Sequence, residues 1–149
     1  MRDRYHQGKF KPQYPEKYKG NSGNIIYRSS WELKFMRWCD TNPNILEWGS
    51  EEFFIPYFDP TANKVRKYFP DFFVKIKDNI GRIKKYVVEV KPKRQTVPPT
   101  STPKRKTKGW VNEVKTYIIN EAKWKAAKEF CEDRSLVFKI ITEDDLGIR

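Results

Sequence analysis

Phe69-Pro70-Asp71-Phe72-Phe73-Val74 is followed, one short turn later, by Val88-Glu89-Val90-Lys91. In the first stretch an acid follows a proline at the mouth of an apolar strand. In the second an acid and a lysine stand two residues apart. Side chains alternate across a strand, so Glu89 and Lys91 share a face. Between the stretches lies Asp78-Asn79-Ile80-Gly81. A three-residue loop, Asn79-Ile80-Gly81, with Gly81 in the left-handed region, closes a hairpin. That register sets Asp78 opposite Arg82 and hence Asp71 opposite Glu89, on one face. Two carboxylates and an ammonium then converge at one strand end. Neighbouring carboxylates repel, and a divalent cation relieves them.

The remaining composition narrows the class. A chain of 149 residues suits one domain with a real core. The net charge of +12 is clustered rather than spread, which points to a polyanion, most simply nucleic acid. Aromatic residues make up 15%, too many for a disordered basic tail. The two cysteines, Cys39 and Cys131, have no CxxC or histidine-rich company, which argues against zinc and fits a reducing compartment. The sole histidine, His6, lies in a polar N-terminal stretch, poor material for a histidine-based triad. No apolar run reaches membrane-spanning length, no signal-peptide core is present and no repeat is found, so no membrane partner is expected.

Residues 1–24 read as an extended basic, aromatic arm ahead of a domain at 25–149. In the arm Lys9, Lys11, Lys17 and Lys19 are interleaved with Phe10, Tyr14 and Tyr18. It either follows a phosphate backbone or packs over the domain. Ser29 to Asp40 reads as a helix with Trp31, Phe35 and Trp38 on one stripe. Ser29 and Glu32 have the spacing of a capping box, so Glu32 has a structural role available as well as a catalytic one. Strands follow at 52–58, 65–77 and 82–91. The segment from Pro92 to Lys108 holds Lys93, Arg94, Lys104, Arg105, Lys106 and Lys108 and no acid. A loop of that length and charge is either a clamp on phosphates, which its start directly after Lys91 favours, or a flexible solvated insert. A helix at 109–133, with Asn120 as a point of restart, and a strand at 136–142 complete the chain. The order predicts an α/β fold, a mixed sheet with helices on its faces.

The chemistry that fits is metal-assisted hydrolysis of a phosphodiester. Asp71 and Glu89 would hold Mg²⁺ or Mn²⁺, with the Val90 carbonyl as a further oxygen ligand. Lys91 would orient or deprotonate the attacking water, or hold the phosphate. Glu32 would reach the metal through water. Lys9, Lys11 and the six bases of the 92–108 loop are the DNA-binding candidates.

Pro70-Asp71 with Glu89-Val90-Lys91 resembles the PD-(D/E)xK nuclease signature, and the order helix–strand–strand–strand–helix–strand is similar to that family's core. Glu32 matches the acid of its first helix. Tyr27-Arg28-Ser29-Ser30-Trp31-Glu32 through Phe69-Pro70-Asp71-Phe72 resembles the TnsA-like branch more closely. Over nearly its whole length the chain is similar to the head completion nucleases of T-even-type tailed phages, including Tyr14-Pro15 and Lys17-Tyr18-Lys19-Gly20. The resemblance implies a restriction-endonuclease-like core and a DNA nuclease acting late in virion assembly. It also implies phage head and neck proteins as partners, and a place in the host cytoplasm or the particle. The long basic loop after Lys91 departs from the restriction-enzyme pattern. A DNA-binding plug without catalysis and a repair or recombination nuclease are the alternatives.

Overall fold

A computed structural model describes residues 7–99 and 105–147. The 69–91 region forms the predicted hairpin. β6 (Phe72–Lys77) and β7 (Ile83–Val90) pair antiparallel, from Phe72 opposite Val88 to Lys77 opposite Ile83. The amide of Asp78 donates to the Arg82 carbonyl at 2.8 Å, and Gly81 takes φ +83°. A left-handed residue is needed there to turn the chain within three residues.

The earlier strands differ from expectation. The sequence predicts strands at 52–58 and 65–77. Over residues 45–77 the structure has four: β3 (Ile45–Ser50), β4 (Ile55–Asp59), β5 (Lys64–Tyr68) and β6. β3 is the one that pairs with β6, while β4 and β5 form a separate two-stranded ribbon. Pro70 separates β5 from β6 and carries no N–H for a ladder, so the expected 65–77 strand is cut in two. β3 was hidden because Ile45-Leu46-Glu47-Trp48-Gly49-Ser50 has no clean period-two pattern; Trp48, Gly49 and Ser50 are all buried.

The central sheet runs β3-β6-β7-β8, where β8 spans Val137–Ile141 and lies parallel to β7. This is the mixed sheet the element order implies. α1 (Ser30–Thr41) packs on one face. Its buried stripe is Trp31, Phe35, Met36 and Cys39, against Phe72, Val74, Val88 and Val90. Trp38, predicted on that stripe, is exposed and only edges Phe35 at 5.6 Å between centroids. α2 (Lys108–Glu132) covers the other face and supplies the crossover to β8. It runs unbroken through Asn120, where a restart was expected, because that side chain is buried on the stripe of Trp124, Ala127 and Cys131. α3 (Glu143–Leu146) closes the described chain with a capping box on Thr142.

The described part of the N-terminal arm packs onto the domain. β1 (Gly8–Lys9) pairs with β2 (Ile26–Tyr27), and Tyr18 enters the core edge-on to Trp48 at 4.8 Å. The Lys17 ammonium donates to the carbonyls of Cys39, Asp40 and Asn42 at 2.8, 2.9 and 2.9 Å. It thereby satisfies orphan acceptors at the C-terminus of α1. The buried Asp40 carboxylate in turn accepts from the amides of Gln13 and Tyr14. Lys17 and Tyr18 are therefore structural, whereas Lys9 and Lys11 stay exposed.

Candidate active site

The site forms where β6 begins and β7 ends. Phe72 and Val88 point into the α1 core, so their neighbours Asp71 and Glu89 point to the α2 side. Asp71 is partly buried, and its Oδ2 accepts the Val90 N–H at 2.8 Å. Glu89 is buried; its Oε1 accepts from the Tyr68 hydroxyl at 2.7 Å. Its Oε2 lies 3.7 Å from Lys91 Nζ, so the predicted same-face pair is formed. Lys91 is anchored through its amide, which donates to the Ile141 carbonyl at 2.9 Å.

Glu32 reaches this sheet end from the N-terminus of α1. Ser29 caps the helix, its hydroxyl accepting from the Glu32 amide at 3.1 Å. The Glu32 carboxylate accepts from the amide of Arg28 at 3.2 Å, one residue before the cap. Only half of the expected capping box is thus present, and the carboxylate is shifted outward along the chain.

The electrostatics bind these acids into one cluster. Burial pushes the Asp71 carboxyl well above its ordinary range, and the charges of Glu89 and Glu32 push it further; the Val90 N–H and Lys91 pull the other way. Burial also raises Glu32, against the Arg28 amide and with the help of Glu51 and Glu89. Carboxylates held this close in a partly dry site repel.

Four neighbours escape the sequence reading. Glu51 has a left-handed backbone (φ +54°), uncommon away from glycine and a mark of constraint. Its amide donates to the Asp71 carbonyl at 3.2 Å, and its carboxylate takes a bidentate pair from Arg28, both at 3.0 Å. Tyr68 fixes Glu89, and burial drives its hydroxyl far above the usual phenol range, so it stays a donor. Lys123 comes from α2, its ammonium 5.6 Å from the Tyr68 ring centroid. Burial lowers its pKa, while Glu89 works against that shift. Arg28 has a sequence signal, four residues before Glu32 in the Tyr27–Glu32 motif. Tyr68 and Glu51 have none, and Lys123 becomes visible only once α2 is docked.

The predicted DNA contacts are dispersed. Lys93 is engaged locally: its amide donates to a Glu143 oxygen at 2.7 Å and its ammonium pairs with Asp144 at 3.1 Å. Arg94, Arg105, Lys106 and Lys108 are exposed, with Lys106 Nζ 5.8 Å from the Trp110 ring centroid. Lys104 and His6 lie outside the described residues.

The donor set suits a hard divalent cation, being carboxylate and carbonyl oxygens without histidine or thiol. Among the described residues no set of three acidic, histidine or cysteine side chains closes on one point. Asp71 and Glu89 are the residues that would hold such an ion, with the Val90 carbonyl and water completing its shell. A cation bound there would offset the crowded charge and lower the pKa of a bound water. The protein's own part is positional. The Val90 amide and Tyr68 hydroxyl hold the two carboxylates in place, and Lys91 keeps its ammonium beside Glu89.

Comparison with known proteins adds to this geometry. Residues 42–143 match the family model described as TnsA-like endonuclease N terminal. Asp71, Glu89 and Lys91 fall inside that segment, and Glu32 lies before it. The chain is 42% identical over 144 residues to the "Head completion nuclease" of Enterobacteria phage T4, covering 95% of this chain and 93% of the relative. PD-(D/E)xK-type nucleases of this kind generally use divalent metals.

Proposed function

This chain belongs to the TnsA-like endonuclease family, and on that premise we propose that it is a DNA nuclease that hydrolyses phosphodiester bonds with Mg²⁺ or Mn²⁺. The observation that carries the reading is the Asp71–Glu89–Lys91 arrangement. Its two carboxylates are fixed by the Val90 amide and the Tyr68 hydroxyl, with an ammonium 3.7 Å from Glu89. Lys91 orients or deprotonates the attacking water. Glu32 supports the cation through water. The exposed basic residues of the 92–108 segment, with Lys9 and Lys11, hold phosphates. The relative is named for head completion; the setting proposed for this chain is a filled phage head in the host cytoplasm, alongside head and neck proteins, before the tail joins.

Incubating the purified protein with circular and linear DNA, with Mg²⁺, with Mn²⁺ or with excess EDTA, tests this. Cleavage should require the metal. Asp71→Ala and Glu89→Ala should abolish it with little loss of DNA affinity, and Lys91→Ala should slow it by about 10²-fold or more. Undiminished cleavage in EDTA would remove the metal mechanism. No cleavage under any metal would leave a DNA-binding plug.

A further inference from the structure

The β4–β5 ribbon has one face against α2 and one in solvent. Ile55, Tyr57 and Tyr68 turn inward to Trp124 and Ala127. The outward positions pair across the ribbon, Phe58 with Val65 and Pro56 with Lys67. Extending the register one step beyond Ile55 and Tyr68 sets Phe54 opposite Phe69. Phe54, Phe58, Val65 and Phe69 are 44, 52, 68 and 48% exposed. Contiguous aromatic surface of this kind on a strongly charged protein marks an interaction site.

The end nearest the acids has further structure. The Phe54 and Phe69 rings lie 5.8 Å apart, tilted by 50°, and the Lys67 ammonium stands 4.7 Å from the Phe54 centroid. Only the buried Pro70 separates Phe69 from Asp71. Two residues of extended backbone span roughly 7 Å, about the rise of two stacked nucleotides in one strand.

We propose that Phe54 and Phe69 form a stacking platform for an unpaired nucleobase one or two nucleotides from the scissile phosphate, with Lys67 on the adjoining backbone. The proposal rests on the nuclease reading of the same site and names its substrate class: DNA with single-stranded character beside the cut. Bases inside a duplex keep their faces covered, whereas unpaired bases offer theirs to aromatic rings irrespective of sequence. Charge selects this occupant. The only charged side chain at the outward positions is a lysine, and two copies each carrying +12 would repel. Area agrees. Half-exposed aromatic residues offer roughly 100 Å² each, so the stripe falls short of the ~800 Å² per partner of a stable protein interface.

The test compares wild type with Phe54→Ala/Phe69→Ala and Phe54→Tyr/Phe69→Tyr. Binding is titrated in excess EDTA against an oligothymidylate, a blunt duplex and the same duplex with an unpaired tail. The alanine pair should lose about 5- to 100-fold in affinity for the oligothymidylate and the tailed duplex, the range for removing a stacked base's partner. It should stay within about 2-fold on the blunt duplex, where phosphate contacts dominate. The tyrosine pair should behave as wild type. Both positions are about half exposed, so the tyrosine pair should melt as wild type and the alanine pair should stay fully folded at the assay temperature with a modestly lower melting temperature. Equal affinities throughout, or an equal loss on paired and unpaired DNA, would overturn the platform. So would a wild-type dimer that the alanine pair dissociates, which would assign the face to a second copy. Metal-started cleavage of circular duplex reports the nuclease reading separately: preference for unpaired DNA without any cleavage would keep the platform and remove that reading.

Discussion

Replacing Asp71 by Asn removes one charge from the acidic cluster and keeps an oxygen for the Val90 N–H. Directly opposed strand residues place their Cβ atoms about 5 Å apart. Two unit charges at about that distance repel by roughly 3 kcal/mol at an effective dielectric of about 20. Against this, the Val90 hydrogen bond falls from charge-assisted to neutral, a loss of about 1 kcal/mol. Without divalent metal the substitution should therefore stabilise the fold by about 1–2 kcal/mol, or roughly 3–6 °C in melting temperature for a domain of this size. The sign also fixes the pH dependence. The folded state raises the Asp71 pKa, so folded protein binds this proton more tightly than unfolded chain. Wild-type stability should fall as pH rises from about 4, the unfolded value, through the folded value, and stay reduced above it. Asp71→Asn lacks that fall, so the gap between the proteins should open with rising pH. Adding Mg²⁺ or Mn²⁺ should raise the wild-type melting temperature and barely move the variant, which should also be inactive. Differential scanning calorimetry with EDTA and with metal, at several pH values, reads all of this. A variant less stable than wild type in EDTA, or an equal metal-induced shift in both, would refute a repelling, cation-binding cluster.

Three other outcomes bear on the same site. Glu32→Gln keeps an oxygen for the Arg28 amide, so the melting temperature should hold or rise while cleavage is lost; full activity would reduce Glu32 to its role at the helix start. Tyr68→Phe removes the donor to buried Glu89, which should cost about 1–3 kcal/mol in stability. Single-turnover cleavage should drop by roughly 10-fold with DNA affinity unchanged, and wild-type turnover would show that Glu89 needs no such support. Changing Lys104, Arg105, Lys106 and Lys108 together to Ser should weaken binding to all sequences alike and lower the slope of log K against log salt by up to about 3–4 units. An unchanged slope from binding titrations at several salt concentrations would place the phosphate contacts elsewhere.

The hairpin that carries Asp71, Glu89 and Lys91 is legible because its determinants are local. A glycine at the left-handed position sets the register of β6 and β7, and strand alternation then puts Asp71, Glu89 and Lys91 on one face. The α/β class followed from element order, and the helix start from Ser29 three residues before Glu32. What the chain does not announce depends on contacts distant in sequence. β3 is a strand because β6 lies beside it, although its own pattern is irregular. Lys17 looks like a phosphate ligand, yet three carbonyls at the end of α1 claim its ammonium. Tyr68 and Lys123 join the site because α2 covers the face to which Glu89 points. Local propensity and period settle which face a side chain takes; only packing settles which distant group meets it there, because that choice is made by burial and charge compensation across the whole core.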